Sequence, residues 1–126
     1  MYVFTLAGFP PGEKEKCMSI QGLQNNEIPD SAISASTYYS NKEPGNGRLH
    51  FQAISRKYGA WGSPKTDIYQ WFQVDFGKFT KVTGLATQGR QDAGMWVKTY
   101  SLSFSYDGTF FEDYVQNNNV KKVSSM

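Results

Sequence analysis

Two short alternations restrict this chain more than anything else in it. Phe72, Val74 and Phe76 alternate with Gln73 and Asp75 and stop at Gly77; Tyr100, Leu102, Phe104 and Tyr106 alternate with Ser101, Ser103 and Ser105. A period of two predicts strands with one buried and one wet face. Asp107-Gly108 follows the second alternation directly. Asp-Gly between apolar runs predicts a hairpin, because both residues tolerate positive φ, and it points to 110–115 as the partner strand. Between the alternations, 87–94 reads TQGRQDAG, a polar stretch bracketed by glycines. A rigid β framework that presents such a loop is a binding architecture first.

The rest of the chain fits one all-β domain. Its 126 residues suffice for a single sizeable core. Aromatics make up 16% of it, and they favour pleated, half-buried surfaces. No helical periodicity reaches three turns. About seven short strands, separated by turn signals, predict a sandwich or barrel. Residues 32–36 and 81–87 read as further strands. Residues 37–49 and 62–67 are loops rich in Gly, Pro, Asn and Ser, and 116–119 (Gln-Asn-Asn-Asn) breaks the last hairpin. Residues 1–16 read as a flank outside the fold: a short apolar run, Pro10-Pro11-Gly12, then the charged 13–16. The run has no basic start and no small-residue cleavage pattern. The domain itself is expected over 17–126.

Charge and motifs exclude several classes of function. With 13 basic and 11 acidic residues the net charge is +2, too mild for a nucleic-acid binder. His50 is the single histidine, and with no second histidine or nearby cysteine it makes no metal site by spacing. It reads as a structural histidine. No nucleophile elbow, zinc-protease motif or phosphate loop is present. Asp107 is explained by its turn, and the other carboxylates show no pairing. The chain therefore reads as a non-enzymatic binder, with no cofactor and no metal. Cys17 is the one cysteine, which leaves two readings open, a reduced thiol or half of a disulfide whose partner lies outside this sequence.

Three loops hold the candidate ligand-binding residues. In 38–48, Tyr38 and Tyr39 offer rings that can stack on a sugar or an acyl chain, and Asn41, Lys42 and Arg48 offer donors. The bland alternative is that one tyrosine is core and its neighbour merely exposed. In 62–67, Lys65 and Asp67 could hold a charged or hydroxylated group, or the loop is a solvated turn. In 90–95, Arg90, Gln91 and Asp92 make a dense donor and acceptor cluster, unless Arg90 is a structural arginine paired with a carboxylate beneath the loop. Trp61, Trp71 and Trp96 read as core residues.

One combination of motifs now names a family. It runs from Ala60-Trp61 through Trp71-Phe72-Gln73-Val74-Asp75-Phe76-Gly77, Val82 and Thr87-Gln88-Gly89-Arg90 to Trp96-Val97-Lys98-Thr99-Tyr100, Ser105 and Asp107-Gly108. Upstream stand Cys17 and Ile28, Asp30-Ser31 and Ile33-Ser34-Ala35-Ser36. The combination closely resembles the discoidin domain, also called the coagulation factor V/VIII type C domain, from Cys17 to about Val120. The resemblance implies a jelly-roll β-sandwich like galactose-binding domains. It also implies a non-enzymatic extracellular or cell-surface module of a larger protein, which binds phospholipid head groups, glycans, collagen or other proteins through loops at one end. Carried over by position, those loops are 38–48, 62–67 and 90–95. The resemblance further implies a closing segment, with a cysteine paired to Cys17, that this sequence lacks; the sandwich is then expected to lack its last strands.

Three readings follow. The first is an adhesion module for a glycan or protein of the cell surface or matrix, with Tyr38 and Tyr39 stacking and Arg90 and Asp92 orienting the ligand. The second is peripheral binding to an anionic phospholipid membrane through the same loops. It ranks lower because the family's membrane binders carry bulky apolar loop tips, whereas 90–94 (Arg-Gln-Asp-Ala-Gly) is polar and only Tyr38 and Tyr39 offer a wedge. The third is a piece of a multidomain receptor or matrix protein with no function of its own.

Overall fold

The computed structural model describes residues 23, 26–82, 85, 87–90, 92–120 and 122–124. Cys17, Gln91 and the flank at 1–16 lie outside the described residues. The described chain is built of short strands with two single turns of 3₁₀ helix. In order these are the turn Asp30–Ala32, β1 (Ile33–Ala35), the turn Pro44–Gly47, β2 (Phe72–Val74), β3 (Thr99–Ser101), β4 (Ser103–Phe104), β5 (Glu112–Asp113), β6 (Val115–Gln116), β7 (Asn119–Val120) and β8 (Lys122–Ser124). All pairing is antiparallel: β1 with β2, β3 with β8, β4 with β5, and β6 with β7.

The first alternation does what its period dictates. Phe72 and Val74 are buried, Val74 to 1% exposure, while Gln73 is half-buried. β2 sets Ile33 opposite Val74 and Ala35 opposite Phe72. Ile28, Ile33, Phe72 and Val74 form the core cluster, with Leu23, Ala32, Ala35, Trp61 and Phe76 packed against it. The Trp61 ring tilts against Phe72 at 5.5 Å, and its Nε1–H donates to Thr37 O at 3.0 Å. Between aromatic rings such a tilted approach is favourable beyond the area buried.

The second alternation is corrected by the structure. Tyr100 is buried as expected, but beyond Leu102 the faces exchange: Ser103 and Ser105 are buried and Tyr106 is exposed. The reason is a change of partner. β3 pairs with β8 and β4 with β5, and Leu102 stands between them with its carbonyl accepting from Tyr114 N–H at 2.8 Å. A one-residue interruption turns every later side chain to the other face. The buried serines are satisfied there. Ser103 Oγ donates to Asp113 at 2.6 Å, and Ser105 Oγ accepts from Gly108 N–H at 2.9 Å.

The Asp107-Gly108 turn forms, with positive φ only at Gly108. The Asp107 carboxylate accepts from the N–H of Phe110 and then that of Thr109, which hold its pKa below the ordinary carboxylate value. At 116–119 the chain does more than stop a hairpin. Asn117 and Asn118 both take positive φ (53° and 62°), the two-residue turn that matches strand twist, and it joins β6 to β7. Lys81, Val82, Leu85 and Thr87, the described residues of the expected 81–87 strand, belong to no strand.

Candidate functional site

The chain returns to one place three times. Tyr39 N–H donates to Gly62 O (3.1 Å) and Gly62 N–H to Lys42 O (3.2 Å), which ties 38–48 to 62–67. Tyr58 N–H donates to Asn41 O (2.9 Å), and Gly59 N–H to the Asp92 carboxylate (3.1 Å), which brings 90–95 to the same place. Loops 38–48, 53–62 and 90–95 therefore form one contiguous end.

Two buried polar residues that the sequence did not flag hold this arrangement. Gln70 Oε1 accepts from Ser36 Oγ (2.7 Å), Thr37 Oγ1 (2.6 Å) and Ser63 Oγ (3.1 Å), while its Nε2 donates to Asp67 (2.8 Å). Asn46 Nδ2 donates to both Asn41 O and Tyr58 O at 3.1 Å. Buried amides with several partners fix backbone positions because leaving them unpaired is costly. Asn46 looks in sequence like one more turn residue in Pro-Gly-Asn-Gly, and Gln70 has no sequence signal.

The expected site residues divide into offered and committed groups. Tyr38 and Tyr39 are both exposed, 51% and 47%, so neither is core. Lys42 is half-buried, its Nζ 4.8 Å from the Tyr39 ring centre and 5.5 Å from that of Tyr58. A Cβ on Gly62 would meet the Lys42 stem at 2.6 Å, so a side chain there would push it aside. Lys65 is exposed at its turn. Asp67 closes that turn by accepting from Tyr69 N–H at 2.9 Å. Its hydrogen bond from Gln70, then that from Tyr69, hold its pKa below the ordinary value.

Arg48 is a correction. It is 7% exposed, and its guanidinium donates to Asp30 (2.6 and 3.0 Å), Ile28 O (2.6 Å) and Leu23 O (3.3 Å). It braces the entry segment, and its donors are turned there rather than to the open face of the loop. Trp96 is a second correction: expected in the core, it is 58% exposed. His50 is exposed as well, with φ of 61° and its N–H donating to Gln88 Oε1 at 2.8 Å.

Arg90 and Asp92 are committed to each other. Two parallel bonds of 2.6 and 2.7 Å join them, and the Arg90 guanidinium lies over the Tyr58 ring at 4.2 Å. The arginine, followed by the Gly59 N–H, drives the Asp92 pKa well below the ordinary carboxylate range; Asp92 in turn raises that of Arg90. A depressed folded-state pKa contributes stability above the unfolded value of about 3.9, lost as pH falls through the folded value. The stability gap between the wild type and Asp92→Asn is thus expected to be flat from pH 7 to about 5 and to shrink below about 4. Urea melts across pH check this; a gap that shrinks already near neutrality would contradict the pairing. Among the described residues no three His, Cys, Asp or Glu groups come together as a metal would need.

An antiparallel framework that gathers aromatic and basic loops at one end is a scaffold for recognition. The F5/8 type C domain model matches residues 32–125, and the chain belongs to that family, whose fold is the discoidin β-sandwich. Human coagulation factor VIII is 37% identical over 111 residues, covering 83% of this chain and 5% of that protein. Rat lactadherin is 36% identical over 118 residues, 86% of this chain and 27% of that protein. Pig lactadherin is 32% identical over 111 residues, 81% of this chain and 26% of that protein. The chain thus spans about one twentieth of factor VIII and about a quarter of the lactadherins.

Proposed function

We propose that this chain is an extracellular recognition domain of a larger protein, over 17–126, and that its loop end binds an anionic phospholipid surface. One observation carries the choice of ligand. The loop end exposes apolar side chains in addition to Tyr38 and Tyr39: Ile54, outside the three loops picked from sequence, and Met95, the last residue of 90–95. Met95 is tied to Arg90, whose N–H donates to Met95 O at 2.7 Å, and Ile54 lines a groove with Asn41 and Asp92. Apolar residues interspersed with Lys42, Arg56 and Lys65 suit a leaflet boundary, where the apolar groups sink toward the acyl chains and the cations meet phosphate. This reverses the order of the sequence reading, which ranked a glycan or protein ligand first for want of apolar loop tips. Family membership alone does not decide between them.

The test is binding to phosphatidylserine vesicles and to phosphatidylcholine vesicles at two salt concentrations. Binding is expected to prefer phosphatidylserine, to weaken with salt, and to fall by roughly tenfold or more when Tyr38 and Tyr39 are both replaced by Ser. Salt-independent binding to a glycan, with no vesicle binding, would return the glycan reading to first place.

A further inference from the structure

Asn46 stands before Gly47, and no other asparagine of the chain precedes a glycine. An Asn-Gly pair readily loses its side-chain amide, because glycine has no Cβ to hinder attack by its own nitrogen. The reaction needs water and no enzyme. The Gly47 nitrogen attacks Asn46 Cγ, the new C–N bond closes a succinimide ring, and the Cγ–Nδ2 bond breaks. Nδ2 leaves as ammonia, taking up the proton that the Gly47 N–H gives up. Water then opens the ring at either carbonyl. Opening at Cγ leaves aspartate; opening at the backbone carbonyl leaves isoaspartate, with the main chain running through Cγ. Nothing is oxidised or reduced.

The fold holds this pair in an arrangement that prevents the attack. Both residues lie in the 3₁₀ turn Pro44–Gly47, where Asn46 N–H donates to Glu43 O at 3.0 Å and Arg48 N–H to Gly45 O at 3.4 Å. In such a turn ψ is about −20 to −30°, which sets the Gly47 nitrogen anti to Asn46 Cβ and so away from Cγ. The Asn46 side chain is buried, its Nδ2 tied to Asn41 O and Tyr58 O at 3.1 Å each. The Gly47 backbone has little room to swing, since a Cβ there would come within 2.7 Å of the Phe72 ring. Nor does the product fit the same place. A carboxylate would face those two carbonyl oxygens with no proton to offer either, and its charge would be buried. Arg48, two residues on, has its guanidinium committed to Asp30, Ile28 O and Leu23 O. Isoaspartate would also add a methylene to the backbone of a turn that rests on Phe72.

We propose that Asn46-Gly47 is a deamidation site that the native loop end keeps shut and unfolding opens, so that a chain held open long enough to react cannot rebuild its loop end. The rate in the native protein is set by how often this region opens. The damage falls where two loops meet, because Asn41 O and Tyr58 O, the carbonyls that Asn46 holds, lie on 38–48 and 53–62. The site is a one-way record of unfolding, and it does not depend on which ligand the loop end binds.

The experiment incubates the full chain at mildly alkaline pH, in native buffer and in urea above its unfolding midpoint. Intact mass and peptide mapping follow the conversion, and isoaspartyl methyltransferase labels the isoaspartate. Modification at Asn46 is expected to run at least about tenfold faster in urea than in native buffer. Asn46→Gln, which would have to close a larger and slower-forming ring, is expected to stay unmodified at this position in urea. Asn46→Asp, the product made directly, is expected to melt about 5 °C or more below the wild type. If that variant does not fold, urea-aged wild type is refolded instead, and the fraction that fails to recover its melt is expected to be enriched in modified Asn46. Equal rates in the two buffers overturn the proposal, as does an Asn46 that stays intact in urea. An Asn46→Asp protein that melts with the wild type, or modified chains spread evenly between refolded and unrecovered fractions, overturns it as well.

Discussion

Arg48→Ala is expected to destabilise the domain by about 2–4 kcal/mol, a large share of the stability of a chain this size. The loss has two sources. The carbonyls of Ile28 and Leu23 lose their donor, and the long arginine stem leaves a gap against the entry segment. The Asp30 partnership contributes less than its 2.6 Å distance suggests. The Asp30 side chain is 69% exposed, so water and salt screen the pair, and Asp30→Asn is expected to cost under about 1 kcal/mol. Urea unfolding of both variants separates these terms. A ligand-donor Arg48 would behave in the opposite way, with an unchanged melt and weakened vesicle binding, and that result would reject the structural role given to it here.

Phe72→Ala is expected to cost about 3–5 kcal/mol. Phe72 belongs to the core cluster, sets its ring at a tilt against that of Trp61, and lies under the 38–48 loop. A Cβ built on Gly47 would come within 2.7 Å of the Phe72 ring and 3.4 Å of Trp61 Cβ, so the loop backbone rests directly on this aromatic pair. The site should therefore suffer along with the core. Vesicle binding by the fraction of Phe72→Ala that stays folded is expected to weaken, although the residue touches no ligand. Thermal melts and vesicle binding measured together check this; a loss of stability below about 1 kcal/mol would mean that the core closes around the gap. Phe72→Leu, which keeps most of the volume, is expected to lose under about 1.5 kcal/mol.

Much of the framework is legible in the sequence. The Phe72, Val74, Phe76 alternation, the Asp107-Gly108 turn and the 33–35 strand are local: each follows from side-chain period or from which residues tolerate positive φ. The serine and aromatic run at 100–106 was legible only as far as Leu102. Its later register depends on which strand lies alongside, and a local pattern carries no information about a change of partner. The same limit applied to Trp96, whose apolar bulk argued for the core although it stands 58% exposed among the described residues.

The candidate site shows the division most clearly. The residues at 38–39, 42 and 90–92 could be picked out as aromatic and charged groups on loops, and the motifs around Trp71 and Thr87 placed the chain in its family. The sequence by itself thus determined much of the β framework, the family and which loops hold the aromatic and charged side chains, because strand period, turn residues and motif spacing are written within a few residues of one another. Only the tertiary structure decided which of those side chains are exposed and which are taken up by partners. Arg48 is spent on Asp30 and on the carbonyls of Ile28 and Leu23, and Arg90 on Asp92, while Ile54 and Arg56 stand out at a turn with no sequence signature. A donor's availability depends on what has folded against it, and those partners lie up to 25 residues away along the chain.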